Sequence, residues 1–445
     1  MSISRRKFLL GAGAGAIAAP GIANLAVGKV GVEVDSHRDP SLWSDQIAAF
    51  APQPRYQGDR HVDVAIVGGG YTGLSCAYYL KKLRPDWSVV VLDSHAIGSG
   101  ASSRNSGAIS PRYVGIDDVD MPLRGLDRLK QFIATENIDC DFSPATNLRV
   151  FTSKSEGDDA QAGLQAGETW IAAGELTERI NSDYYQGGAI ESHGNYKVHP
   201  AKLVHGQAQA ALNQGVELFE QSPVLDVQPG KPARLLTPGG EITAKHVCIA
   251  TNAYTPRLGW LSSKMFPVHQ YTFATRKLSD KEIQSLGLDQ WDIRFEDVML
   301  PVTFRLMSSG HFFVRMVLGY ASHDSGNWKD IAGAQQLAQR VFEQRYPSVA
   351  DIGLKHGWHG VTGHTPLMQP IMGPVGDGNI HVSAAYNGLG IMPSHNNGYL
   401  TACNIVGEED QDLRFLTGEK GLAPFPGDFY RSLMLKPFMN VMTPV

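Results

Sequence analysis

The stretch His61-Val62-Asp63-Val64-Ala65-Ile66-Val67-Gly68-Gly69-Gly70-Tyr71-Thr72-Gly73 decides the fold. A short apolar run of strand type ends directly in three glycines. Residues Leu74 to Leu83 continue in a helical pattern, and Pro85 stops it. A second run, Ser88-Val89-Val90-Val91-Leu92, ends in Asp93, twenty residues beyond Gly73. Strand, glycine turn, helix, strand and acid in this order are the fingerprint of a dinucleotide-binding βαβ unit. Gly68 permits the tight turn, Gly70 lets the backbone approach a pyrophosphate, and Gly73 lets the helix pack on the sheet. The helix N-terminus, at Tyr71 and Thr72, offers unpaired N–H groups and partial positive charge to the phosphates. Asp93, with Ser94 next to it, accepts hydrogen bonds from a ribose. The alternative reading is a glycine-rich structural turn.

The loop after the second strand selects among dinucleotides. Gly98-Ser99-Gly100-Ala101-Ser102-Ser103-Arg104-Asn105-Ser106-Gly107 is long, polar and made of small residues. An NAD domain does not need it. FAD does, because its phosphates, ribityl chain and isoalloxazine take a longer path. Gly100, Ala101, Ser102, Arg104, Asn105, Ser106 and Gly107 are therefore candidate FAD contacts.

The segment from Val62 to Gly107 resembles the D-amino-acid-oxidase-like family of FAD-dependent oxidoreductases, whose usual loop reads GxGASGRNGG. Here Ser103 and Ser106 replace glycines. The resemblance runs on through the chain. Asn137 to Phe142 is similar to the stretch before the family's first substrate-domain strand, and Lys197-Val198-His199-Pro200 to its HPxxL helix start. Ala250-Thr251-Asn252-Ala253-Tyr254 matches its ATNAY signature. Trp358, Gly360, Thr362-Gly363 and Pro370-Ile371-Met372-Gly373 are similar to its C-terminal return to the cofactor. Pro424-Phe425-Pro426-Gly427 resembles the branch that holds gamma-glutamylputrescine oxidoreductase, glycine oxidase and sarcosine oxidase.

The resemblance implies an α/β fold: a GR2-type, Rossmann-like FAD-binding domain interleaved with an α+β substrate domain built on an antiparallel sheet. The FAD-binding parts are expected at about 61–135, 197–255 and 355–415. The substrate parts are expected at about 136–196 and 256–354. The resemblance also places the backbone of Val224 at the adenine, and Thr251 and Gly363 at the cofactor. It places Gly388, Leu389, Gly390 and Ile391 near the flavin pyrimidine ring, where a helix N-terminus would stabilise negative charge. Relatives often carry Gly-His-Gly there; Leu389 replaces that histidine.

Runs of aromatic and β-branched residues at Val268–Ala274, Pro301–Arg305 and His311–Met316 read as strands, and Gly333–Tyr346 reads as a helix. Within them His269, Tyr271 and Arg315 are the tentative substrate contacts, with Tyr386 and Asn387 ahead of the flavin junction. Arg315 has the donor fork that clamps a carboxylate; a surface arginine is the other reading. Solvated strand faces are the other reading for His269 and Tyr271. No dedicated acid–base pair stands out. The resemblance implies hydride transfer from the substrate carbon to flavin N5 and hydrolysis of the resulting imine, which needs a neutral amine and no protein base. The substrate expected is a small amine or amino acid, with a gamma-glutamyl-polyamine-like compound included. The acceptor is O2 or a respiratory carrier. A hydroxy-acid or polyol dehydrogenase, and a non-catalytic flavoprotein subunit, stay open as alternatives. FAD is expected to be noncovalent, since no cysteine adjoins the C-terminal flavin loop.

Composition bounds these readings. The 445 residues exceed the ~250–300 at which one core stops growing. A formal charge of −5 and the lack of a long basic run exclude the footprint of a nucleic-acid binder. Cys76, Cys140, Cys248 and Cys403 lie far apart and form no CxxC, so neither a zinc site nor a disulfide scaffold is expected. Seven of the 48 glycines lie between Gly68 and Gly107 and nine between Gly357 and Gly398, the two regions assigned to the cofactor.

The chain opens with Ser4-Arg5-Arg6-Lys7-Phe8-Leu9-Leu10 and an uncharged stretch from Phe8 to Gly28. Residues 1–28 resemble a twin-arginine export signal, with cleavage expected after residue 23. Its glycines and Pro20 make it a poor membrane helix, so no stable span is expected in the mature protein. Export machinery of that route becomes an expected partner, and the expected location is periplasmic or otherwise exported. Residues 29–60 read as a polar linker.

Overall fold

The computed structural model describes residues 40–416, apart from His193, 299–300 and 321–330, together with a few isolated positions beyond 416. The leader, residues 29–39 and Phe425 to Gly427 lie outside the described residues.

The nucleotide sheet grows from the strand Arg60–Val67, whose last four residues are all buried. Parallel neighbours flank it on both sides: Ile66 pairs with Val91 on Val89–Leu92 and with Cys248 on Gly240–Ile249. A strand so enclosed must be apolar on both faces, which is why its sequence runs without alternation. The helix Tyr71–Leu83 makes the crossover that parallel pairing requires. The sheet continues through Glu217–Phe219 on one side and the meander Asp226–Gln228, Ala233–Thr237 on the other. Gly240–Ile249 changes partner along its length. Its first half pairs antiparallel with Ala233–Thr237, and Val247–Ile249 pair parallel with Ile380–Ala384. The C-terminal return thus enters the middle of a sheet begun by the fingerprint, and the helix Ile391–Val406 leaves from it.

The second sheet has eight strands in the order 354–364, 266–277, 311–320, 303–306, 293–296, 147–151, 187–191, 168–172. All neighbours are antiparallel except Ile293–Glu296 with Asn147–Phe151, the seam where two distant pieces of chain meet. One face is covered by the helix Ile331–Arg345. Tyr271, Phe273, Phe304, Phe312 and Val314 share a core there with Ala338, Val341 and Phe342. The opposite face looks toward the nucleotide domain. Cross-strand partners project to the same side, so the pairs Thr272↔Arg315, Thr272↔Trp358, Ala274↔Phe313 and Thr303↔Arg315 define it.

From Ser41 onward the stretch read as linker is part of the fold. Trp43 is fully buried in a cluster with Ala274, Phe313 and Trp358 of the sheet and Ala201 of the nucleotide domain. Its indole donates to the Asn105 carbonyl at 3.0 Å, and Ser41 Oγ donates to the Ser103 carbonyl at 2.6 Å. A lone tryptophan in a polar stretch carries no periodicity, so nothing local announced the contact.

Candidate functional site

The glycine turn has no room for a side chain. Gly68 has φ +107°, and a Cβ on it would stand 2.8 Å from the Ala250 carbonyl oxygen. A Cβ on Gly73 would stand 2.0 Å from the Gly68 carbonyl oxygen. The helix starts at Tyr71 with Gly70 as a cap that supplies no side-chain acceptor. Ser102 sits against this end: its Oγ accepts from the Tyr71 N–H at 3.0 Å and would be 2.9 Å from a Gly70 Cβ. The loop Gly98–Gly107 and the fingerprint helix therefore converge at one point.

Asp93 holds its own surroundings together. Its carboxylate accepts from the Gly69 N–H at 2.8 Å and from the His95 N–H at 2.9 Å. Burial pushes its pKa above the ordinary carboxylate range. Ser94 is exposed, and its hydroxyl pairs with His95 Nδ1.

The rest of the loop is pinned by its own side chains and by the second sheet. Arg104 is buried and donates to the carbonyls of Ser99 and His359. Asn105 donates to the carbonyls of Ala101 and Ser102 and accepts from the Gly107 N–H. Arg305, from the substrate sheet, donates to the Ser106 and Val198 carbonyls. The side chains of Arg104 and Asn105 thus shape the loop, while Gly100 and Ala101 lead into its short helical turn.

The other cofactor candidates gather where the C-terminal return meets the fingerprint. Thr251 pairs with Thr255 beside Gly68. The Asn387 N–H donates to the Gly363 carbonyl at 3.2 Å. Gly388 has φ +88°, Leu389 donates to the Tyr386 carbonyl, and Gly390 caps the helix beginning at Ile391 without a side chain. Val224 lies apart, partly buried against the core that contains Val227 and Leu235.

The five tentative substrate contacts divide. His269 and Tyr271 are buried and stack with His359, at ring separations of 5.6 Å. They occupy the face of the strand opposite Gln270 and Thr272, and Tyr271 belongs to the core under the helix Ile331–Arg345. Both therefore lie on the sheet face away from Thr272 and Arg315. Burial, with smaller contributions from His359 and Arg257, pulls the pKa of His269 down to about 3, so it is neutral. Tyr386 is buried, and its phenol bridges Thr72 and Ser383. Burial pushes its pKa up to about 12. Asn387 donates to the Ala385 carbonyl and accepts from the Thr365 N–H. Both hold the turn ahead of the helix Ile391–Val406 through groups already paired.

Arg315 lies on the other face, opposite Thr272 and Thr303. Its guanidinium donates to Gln270 Oε1 and, at 2.8 Å, to Thr303 Oγ1, while buried Nε has no partner. Among the described residues no carboxylate pairs with it. Burial lowers its pKa to about 10, so it stays charged at neutral pH. Gln270, in turn, lies 3.8 Å from the point where a Cβ on Gly388 would stand, and His364 lies 4.0 Å from it. Gln270, Thr303, Thr362 and His364 gather with Arg315 near Gly388, and the sequence marked none of the four as a substrate contact. Once Arg315 is chosen, strand pairing alone would have found Thr303.

These features fit FAD. Two helix N-termini, at Tyr71 and Ile391, lack side-chain caps, and the glycine turns at Gly68 and Gly388 keep the backbone bare between them. Among the described residues no cluster of His, Cys, Asp and Glu could hold a metal ion, and no helix is long and apolar enough to cross a membrane.

The chain is similar to known proteins in sequence and in fold. The chain is 27% identical to gamma-glutamylputrescine oxidoreductase of Escherichia coli over 87% of its length and 93% of that protein. It is 30% identical to glycine oxidase of Geobacillus kaustophilus over 46% of its length and 59% of that protein. The crystal structure of glycine oxidase from Geobacillus kaustophilus superposes with a TM-score of 0.69, covering 82% of this chain and all of that one, at 22% identity. The family profile described as "DAO: FAD dependent oxidoreductase" matches residues 63–403, and the chain belongs to that family of FAD-dependent oxidoreductases.

Proposed function

We propose that this protein oxidises the C–N bond of an amino acid or of an amine that carries a carboxylate, a gamma-glutamyl-polyamine-like compound included. The carrying observation is Arg315: a buried guanidinium with no carboxylate partner among the described residues, on the sheet face turned toward Gly388. Leaving a charge in that state is costly unless a ligand neutralises it. A substrate carboxylate does so through the guanidinium fork.

When bound, FAD supplies the two-electron acceptor at the Gly388–Ile391 junction. The chain's own residues do the rest. Arg315, fixed by Gln270 and Thr303, holds the carboxylate and thereby orients the adjacent C–H bond. As that carbon gives up a hydride, the neutral amine nitrogen closes the C=N bond, and water hydrolyses the imine to ammonia or amine and a carbonyl compound. The start of the helix Ile391–Val406 favours negative charge at the junction.

The test is anaerobic mixing of the FAD-loaded protein with amines, amino acids, gamma-glutamyl amines and hydroxy acids, read by the visible flavin absorbance. Bleaching by a carboxylate-bearing amine is expected. Bleaching by hydroxy acids alone overturns the C–N reading, and bleaching by none of them assigns a non-catalytic flavoprotein.

The Arg5-Arg6 leader supports export by the twin-arginine route, with O2 or a respiratory carrier as the acceptor met there. Cell fractionation of the parent and of an Arg5→Lys, Arg6→Lys double variant tests this. Equal distribution of the two overturns it.

A further inference from the structure

The FAD-facing side of the substrate sheet carries a hydrogen-bond chain whose direction is set by its members. Arg315 can only donate, and it donates to Gln270 Oε1. That fixes the amide, so Gln270 Nε2 points the other way and donates to Thr362 Oγ1 at 2.9 Å. The Thr362 hydroxyl keeps one proton to give. Its acceptors are His364 Nε2 at 3.0 Å and the Val268 carbonyl at 3.5 Å, and the shorter contact takes it. His364 Nε2 is therefore an acceptor, and a neutral imidazole that accepts at Nε2 carries its proton on Nδ1.

The ring is held in place by stacking on Phe266, with centroids 6.0 Å apart. Burial and the nearby positive charge of Arg315 keep it neutral, with a pKa of about 4. Its Cε1 is 4.0 Å from the Cβ point of Gly388, on the side where the flavin junction lies. Among the described residues no group accepts from Nδ1.

We propose that His364 is a second carboxylate-binding residue of the substrate site, locked as the Nδ1–H tautomer by the chain from Arg315 through Gln270 and Thr362, and donating to the same carboxylate that Arg315 holds. Gln270 and Thr362 are positioning residues: they set which ring nitrogen bears the proton. The inference rests on the reading of Arg315 as a carboxylate clamp. It deepens that reading by giving the carboxylate a neutral, directional donor beside a charged one.

The probe is acetate, a carboxylate with no C–N bond to oxidise, titrated calorimetrically into the FAD-loaded full chain. Thr362→Ser, which keeps the hydroxyl, is expected to bind it as the parent does. Thr362→Val, which cannot donate to Nε2, is expected to bind it about tenfold more weakly. His364→Asn places an amide N–H where Nδ1 stood and is expected to retain binding, whereas His364→Phe loses about tenfold. The proposal is overturned if Thr362→Val and His364→Phe bind like the parent, if His364→Asn is as weak as His364→Phe, or if the parent binds no acetate. The valine and phenylalanine variants attack one bond from its two ends, so either decides if the other fails to load FAD. Flavin bleaching by an amino acid without acetate binding would sink this inference and leave the oxidation reading standing. Acetate binding without bleaching by any amine would do the reverse.

Discussion

Tyr386 and Thr72, 314 positions apart, share a hydrogen bond of 2.6 Å that ties the turn before the helix Ile391–Val406 to the first turn of the fingerprint helix. Tyr386 also reaches Ser383 at 2.9 Å, so one phenol spans the strand Ile380–Ala384, the junction and the helix. Tyr386→Phe keeps the ring's packing and removes both bonds. It is expected to cost about 1–3 kcal/mol, the range for stripping a partner from buried hydroxyls. Urea unfolding of the FAD-loaded protein measures it. A variant as stable as the parent would show that the bridge contributes nothing.

Arg315→Met separates function from stability. The substitution removes a buried charge that has no acid partner among the described residues and replaces it with an apolar chain of similar length. The thermal midpoint without substrate is expected to hold or rise. Catalytic efficiency on a carboxylate-bearing substrate is expected to fall about a hundredfold or more, from the ~2–5 kcal/mol at stake in a buried charged contact. Steady-state kinetics and a melting scan on the same sample decide it. A drop in melting temperature with unchanged kcat/KM would mark Arg315 as structural.

Trp43 packs between His199, at the start of the helix Pro200–Asn213, and Phe313 of the second sheet. Trp43→Ala opens a cavity there and is expected to cost about 3–5 kcal/mol. Equilibrium unfolding that shifts by less than ~1 kcal/mol would return residues 40–60 to the status of a linker.

The reach of the sequence can be traced to particular residues. Val62 to Gly73 and Asp93 were legible because their geometry is local: each turn, cap and acid sits next to its neighbour along one βαβ unit. The parity of the strand Phe266–Lys277 was not. Its first ten residues are all buried, with a helix covering one face and the loop Gly98–Gly107 packed toward the other, so no alternation marks which face is which. His269 and Tyr271 looked chemically suited, and it is the residue between them, Gln270, that pairs with Arg315 and Thr362. Such pairing is a long-range property. Trp43 was hidden for the opposite reason: one aromatic in a polar stretch has its partners far along the chain.

Gly68→Ala tests the turn. A side chain at φ +107° costs roughly 1–3 kcal/mol in strain, and its Cβ would press on the Ala250 carbonyl at 2.8 Å. The turn must shift, and with it the start of the helix Tyr71–Leu83. Loss of bound FAD on gel filtration is expected, read as the ratio of visible to ultraviolet absorbance. Stoichiometric FAD in the purified variant would argue against the fingerprint.

Acid sensitivity should come from buried histidines. Burial is the first cause in each case, holding His381 at a pKa of about 4 and His395 and His269 at about 3, against about 6.5 for an unfolded histidine. Above about pH 6.5 both states are neutral at these positions, and stability is at its full value. As pH falls below that value the unfolded chain takes up protons that the folded chain refuses, so stability declines. The decline stops at each site once pH passes its folded pKa. Each of the three contributes up to ~1.4 kcal/mol per pH unit within that window. Unfolding free energy measured by urea at fixed ionic strength should therefore drop steeply between about pH 6.5 and 4, with His395→Gln reducing the slope by one proton's worth. His395 pairs with Gln207 and Tyr79 in the interior, so the variant has hydrogen-bond partners waiting. A slope unchanged by that substitution would mean that His395 titrates alike in both states.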